Sequence, residues 1–192
     1  MKKTKKISED EMIREFIFAE INSDRRGDVI FLLSQTGYDE KIISHPDYSN
    51  PKENNARKLA LSYRGYPDSY LFSGMPKFGK MFTALLNIAN SKRIKTINCD
   101  PWLADSDGTR DFSVIARKIR NTEINNPKIL KIAADYDSDK KLPLIICAKD
   151  LSTGEFIVIE GNHRMAALFL LGVKEIKSII IEFENLNGWI FK

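Results

Sequence analysis

Cysteine and histidine are scarce in this chain, with two of each in 192 residues. Cys99 and Cys147 lie far apart and form no C-x-x-C pair. A structural zinc site takes about four ligands, so neither zinc nor a disulfide framework is expected, and two buried thiols in a reducing compartment are. Long apolar runs are missing too. No stretch approaches the roughly 18 uninterrupted apolar residues of a membrane helix. The start, Met1-Lys2-Lys3-Thr4-Lys5-Lys6, leads into Ser8-Glu9-Asp10-Glu11 rather than the apolar segment of a signal peptide. No membrane association and a cytoplasmic location are therefore expected. Internal repeats and low-complexity tracts are absent, which excludes solenoids and collagen-like chains.

What is present is an ordinary globular composition, 43% hydrophobic and 29% charged. Thirty basic side chains against 26 acidic ones give a formal charge of +4. That balance permits nucleic-acid or nucleotide binding without arguing for it. Residues 1–98 hold 17 of the basic and 12 of the acidic groups, and Lys2, Lys3, Lys5 and Lys6 supply four of those positive charges. A frayed, solvated tail is the expected state of those lysines, rather than a nucleic-acid arm.

Ser8 and Glu11 have the spacing of a capping box, so a helix is expected over 8–23 with Met12, Phe16 and Ala19 on one face. Residues 28–35 read as a short helix or a buried strand. The turn formers of 44–55 read as a loop, and a helix follows over 56–63. A short strand is expected at 70–72, an amphipathic helix at 78–90 and a strand at 94–98. Arg64-Gly65-Tyr66-Pro67, with Tyr63 and Tyr70, is either a turn closing a helix or a mixed aromatic and basic surface for stacking bases. Residues 100–110 read as a loop, 111–120 as a helix, and Pro127 as the first turn of another. Residues 135–141 read as an exposed connection. Trp102 and Trp189 are expected to anchor loop and tail to the core.

The C-terminal part is the most regular. Leu144-Ile145-Ile146-Cys147-Ala148 and Phe156-Ile157-Val158-Ile159 flank a Ser-Thr-Gly turn and predict a hairpin. A helix over 165–171 ends at Gly172, and a strand over 178–183 follows. The order is strand, strand, helix, strand.

Between the second strand and that helix stands Glu160-Gly161-Asn162-His163-Arg164. A strand ends, Gly161 permits a sharp turn, and a helix begins with its backbone N–H groups leading. Those groups and the positive helix end attract anions. Arg164 can hold phosphate with two hydrogen bonds, His163 can donate or move a proton, and Glu160 can act as acid, base or metal holder. The plain alternative is a strand–helix turn with Arg164 paired to a nearby carboxylate.

The stretch from Phe156 through Gly172, with Leu142-Pro143-Leu144 before it, resembles the signature of the ParB/sulfiredoxin superfamily. The resemblance is concentrated in 142–172 and implies an α+β fold. It divides the chain into a mostly helical part, 1–98, and a ParB/sulfiredoxin-like nucleotide-binding domain, 99–192. It also implies that nucleotide phosphate is held at Gly161, Asn162, His163 and Arg164, with Thr109 and Arg110 folding back as an upstream contact. Glu160, His163 and Arg164 are the implied catalytic residues. ATP, ADP or CTP with Mg²⁺ is the implied cofactor set, and Asp105 and Asp107 (with Asp111) are the carboxylates available for the metal.

Members of that superfamily bind CTP as a switch on DNA, repair peroxiredoxins with ATP, or phosphorylate free serine. The serine kinases carry Asp-Gly-His-Thr-Arg at this turn. Sulfiredoxins need a cysteine where Asn162 stands, so sulfinic-acid repair is not expected. No helix-turn-helix follows within the 192 residues, so neither is chromosome partition. The expected function is a nucleotide-dependent phosphotransferase or nucleotide hydrolase. The alternatives are a nucleotide-sensing or DNA-associated binding protein without turnover, and a ParB-like nuclease. A homodimer is compatible with each.

Overall fold

Ser8 caps the first helix as its spacing dictates. Its Oγ accepts from the Glu11 amide at 3.2 Å, and Glu11 accepts from the Ser8 amide at 2.7 Å. The computed structural model describes residues 1–89, 91–136 and 142–192. Contacts divide the chain into a helical unit, Ile7–Lys77 with Gly188–Ile190, and a sheet unit, Met1–Lys6 with Phe78–Asn187 and Phe191–Lys192.

The helical unit contains α1 (Glu9–Ile21), α2 (Arg26–Gln35), α3 (Lys41–Ser44) and α4 (Pro51–Ala60). Helix α4 begins five residues before its expected start. Asn50 accepts from the amides of Lys52 and Glu53 and Pro51 fills the first turn, a start signal inside the stretch read as loop. Residues 28–35 settle as helix. Tyr70–Phe72 is a 3₁₀ turn rather than a strand, with Tyr70 at φ 43°. Phe16 and Phe72 pack with ring centroids 6.0 Å apart, and Trp189 donates its indole N–H to the Leu71 carbonyl at 2.7 Å.

Six strands form one mixed sheet: β1 (Lys2–Lys6), β2 (Met81–Asn87), β3 (Ile94–Lys95), β4 (Ile145–Asp150), β5 (Phe156–Glu160) and β6 (Glu175–Phe183), in the order β1-β2-β6-β4-β5-β3. The β6/β4 and β5/β3 pairs are parallel and the others antiparallel. The fold class is α+β. The hairpin forms as its alternation predicts, and α8 (Asn162–Leu170) carries the chain from β5 across to β6. Helices α5 (Asp100–Asp105), α6 (Phe112–Arg120) and α7 (Pro127–Ala134) complete the unit. Phe112, Ile115, Ile119, Ile129, Met165 and Phe169 pack on Phe82, Ala84, Leu86, Ile145, Cys147, Val158 and Ile180. Each such side chain removed from water contributes about 1.5–3 kcal/mol.

Four sequence expectations change in the sheet unit. Residues 81–87 are a strand, not part of a helix, because they pair along their length with β6, from Met81 against Ile181 to Asn87 against Glu175. The lysine tail is not frayed: Lys2 to Lys6 form β1 against β2. The expected boundary at 98/99 falls inside the sheet unit, since β1, β2 and β3 precede it and share the sheet with β4 to β6. The loop expected at 100–110 opens with a short helix. Of the connection expected at 135–141, residues 137–141 lie outside the described residues.

Candidate functional site

The Glu160-to-Arg164 motif sits where strand becomes helix. Strand β5 ends at Glu160, Gly161 adopts φ 96° and ψ 26°, and α8 starts at Asn162 without a side-chain cap. Only glycine adopts this left-handed geometry cheaply. A Cβ at Gly161 would also come within 2.9 Å of Arg164 Nη2 and 3.0 Å of Ile145 Cγ1, so the turn is closed by its own arginine.

Arg164 is held on two sides. Its Nη1 donates to the Pro143 carbonyl at 2.5 Å, and its Nη2 donates to Glu160 Oε1 at 3.1 Å. Both partners of the ion pair are mostly sheltered, at 12% and 14% exposure. The guanidinium thus ties the strand end and the residue ahead of β4 to the first turn of α8. His163 packs edge-on against Trp102, ring centroids 4.9 Å apart, which fixes the imidazole over α5. Asn162 is buried and donates to the Val158 carbonyl at 3.0 Å, while its Oδ1 is enclosed with no hydrogen-bond partner. A buried amide oxygen left without a donor costs about 1–3 kcal/mol.

The upstream candidates are organised around α5. Thr109 Oγ1 donates to the Ser106 carbonyl at 2.7 Å, and the Arg110 amide donates to Ser106 Oγ at 2.9 Å. The Arg110 carbonyl accepts from the Thr96 amide beside β3. Burial lowers the pKa of Arg110 from its ordinary value, while Glu155 and Asp111 oppose the shift. Glu155 precedes β5, five residues from Glu160 and about 17 Å along an extended strand. Thr109 and Arg110 thus tie the α5–α6 connection to its own turn and to the end of β3.

Asp105 ends α5. Asp107 is exposed and paired with Lys118 at 2.7 Å and Arg117 at 3.8 Å, and Asp111 is paired with Lys95 at 2.5 Å. Protein cations answer Asp107 and Asp111, and no group of three or more His, Cys, Asp or Glu able to hold a metal occurs among the described residues. This donor set does not fit Mg²⁺. At the β5–α8 turn, by contrast, an uncapped helix start and a positioned guanidinium stand together.

The remaining candidates are absorbed by packing. Arg64 pairs with buried Glu20 at 3.4 Å and lies 5.9 Å from the Tyr70 ring centroid. The Tyr66 hydroxyl donates to Glu9. Burial, then Glu20, raises the Tyr63 phenol above its usual range. Cys147 is buried, which pushes its thiol up to about 12, and Cys99 is half-buried. Two features escaped sequence reasoning, the Trp102–His163 contact and the Pro143 carbonyl that orients Arg164. The proline just before a strand was a visible signal for the second, whereas no local pattern announced the first.

No helix in the described residues is long and apolar enough to cross a membrane. Compared with protein-family models, with curated proteins and with solved structures, the chain gives no match in any of the three.

Proposed function

We propose that the β5–α8 turn binds the phosphates of a nucleotide and that the protein responds to that nucleotide. The observation that carries this reading is the left-handed Gly161, which sets the uncapped start of α8 and the Arg164 guanidinium on the same turn. A phosphate there meets the helix N-terminus and a planar, permanently charged donor, the two elements that recognise it best. The ParB/sulfiredoxin relation belongs to this proposal. It rests on the residues of 142–172 and on the order β4, β5, α8, β6.

Two versions compete, and one contact separates them. In a phosphotransferase or hydrolase, Glu160 would accept a proton from the attacking hydroxyl or water. Here its carboxylate is paired to Arg164 at 3.1 Å, which suits a group that holds the arginine in place. That pairing favours binding without turnover, a nucleotide-sensing role, over the enzymatic version. His163, fixed against Trp102, supplies a hydrogen-bond donor in either case.

Titration calorimetry with ATP, ADP, CTP and GTP, on the native protein and on Arg164→Ala, tests the reading. One nucleotide is expected to bind, and the substitution to weaken it by about 2 kcal/mol, near 30-fold. Thermal unfolding of the variant separates lost binding from lost structure. Absence of binding by all four, or an unchanged affinity in a folded Arg164→Ala protein, overturns the proposal. Phosphate release from the bound nucleotide would favour the enzymatic version.

A further inference from the structure

Strand β1 is an edge strand of unusual composition: Lys2-Lys3-Thr4-Lys5-Lys6, with all five residues exposed. In a regular strand, alternation would place Lys2 and Lys6 on one face with Thr4 between them, and Lys3 and Lys5 on the other. A bulge between Lys3 and Lys5 changes that arrangement. Lys2 and Lys5 stand opposite Leu85 and Thr83, while Lys3 and Lys6 stand opposite Ala84 and Phe82. Opposed residues share a face. Each face of the edge therefore carries two lysines separated by one strand repeat, about 7 Å.

The surroundings extend the positive charge. Lys3 lies 4.0 Å from the Phe82 ring centroid and 3.1 Å from Glu182. Lys149 shares that carboxylate at 3.0 Å, so two ammonium groups draw on a single acid. Lys80 ends the approach to β2, its carbonyl accepting from the Glu182 amide, and its side chain is exposed. Exposed Lys177 stands across Leu85 from Lys2.

We propose that β1 is a docking strand for the sugar–phosphate backbone of a nucleic acid, read by charge and without base specificity. The argument is charge complementarity on an ordered scaffold. Lysines paired on each face of an edge match the negative charge of successive phosphates, and a strand fixed by β2 forfeits less entropy on binding than a free tail. Edge lysines also discourage strand-to-strand aggregation. Here four stand on the edge, re-phased by a bulge into a pair on each face. The inference is independent of the β5–α8 turn and stands whether or not that turn binds nucleotide.

The test uses the full chain and a fluorescent single-stranded oligonucleotide of mixed sequence, with affinity measured between 50 and 200 mM salt. The variant Lys2→Glu/Lys5→Glu/Lys6→Glu leaves Lys3 on Glu182 and keeps the edge charged, so it guards against aggregation as well as the native strand does. Three phosphate contacts correspond to a salt slope of about −2, a loss of about 20-fold over that range. The expected result is a native slope at least this steep, removed in the variant, with native-like circular dichroism and a monodisperse sedimentation profile in both. Arg164→Ala is expected to leave the slope unchanged. Equal oligonucleotide binding by native protein and variant would overturn the proposal. So would native protein that ignores the oligonucleotide, or that binds anionic phosphatidylserine vesicles in preference to it.

Discussion

The two units solve the problem of a core differently. The sheet unit closes on aliphatic and aromatic side chains, with Ile146, Cys147, Ile157, Val158, Ile179 and Ile180 all fully buried. The helical unit buries charge. Arg57 is wholly enclosed, donating to the Ile42 carbonyl at 2.9 Å and to the Asp47 carbonyl at 3.2 Å, and also reaching Glu53 and Asn54. Glu20, 1% exposed, is met by Arg25 at 3.0 Å and Arg64 at 3.4 Å. Helix α4, Pro-Lys-Glu-Asn-Asn-Ala-Arg-Lys-Leu-Ala, has too few apolar side chains to pack by burial alone. Its guanidinium reaches back to the α3 carbonyl and to the loop ahead of α4. One unit is specified by shape and volume, the other by a few directional contacts that leave little tolerance for substitution.

Arg57→Met tests this difference most severely. It keeps volume but strands two backbone carbonyls and a carboxylate, and should cost about 3–5 kcal/mol in urea unfolding. A cost under 1 kcal/mol would mean that the helical unit packs by burial after all.

Among the described residues the sheet unit has a single comparable group, Asp150, and it sharpens the comparison. Asp150 is fully buried at the end of β4, where Oδ1 accepts from the Ser152 amide and hydroxyl and Oδ2 from Lys192 at 2.6 Å and the Leu186 amide at 3.3 Å. Burial alone would raise its pKa. The Lys192 and Ser152 hydrogen bonds and the Lys192 charge outweigh burial and hold it at about 2. Because the folded value lies below the unfolded one, near 3.9, this stabilisation is complete above pH 4 and is lost as pH falls toward 2. Asp150→Asn should cost about 2 kcal/mol at pH 7 and flatten that part of the acid-unfolding profile. An unchanged profile would remove Asp150 from the account.

The smallest effect is expected at the candidate site. Gly161→Ala introduces a Cβ at φ 96°, against Arg164 and Ile145. A cost of about 1–2 kcal/mol in thermal or urea unfolding should follow. A larger loss of nucleotide affinity than of stability would place the turn among the binding elements rather than the structural ones.

Legibility followed the range of the determining interactions. The capping box at Ser8, the Pro127 helix start, the β4–β5 hairpin and the glycine of the β5–α8 turn are local signals, and each element formed near its expected place. The strand at 81–87 was misread because Phe82, Leu85 and Leu86 also suit a helical face, and its true determinant is β6, some ninety residues away. The lysine tail reads as solvated for the same reason, since its partner is β2. At the site, Gly161, Asn162 and Arg164 were visible as a motif, but the orphaned Asn162 oxygen and the Trp102–His163 contact depend on tertiary placement. Thr109 and Arg110 are grouped with the motif by resemblance alone, and their hydrogen bonds to Ser106 and Thr96 are details that no local pattern announces.

The strand order also sets a timetable for synthesis. Strand β1 leaves the ribosome first, yet its partner β2 follows only after all four helices of α1 to α4 have emerged. Strand β2 then waits for β6, the last of the six described strands in sequence. The helical unit has the means to fold on local contacts in the meantime, while the sheet closes only once β6 has emerged. Until then β2, Met-Phe-Thr-Ala-Leu-Leu-Asn, is an apolar strand with one side open. During that interval the four lysines of β1 are the nearest guard this segment has against pairing with another chain.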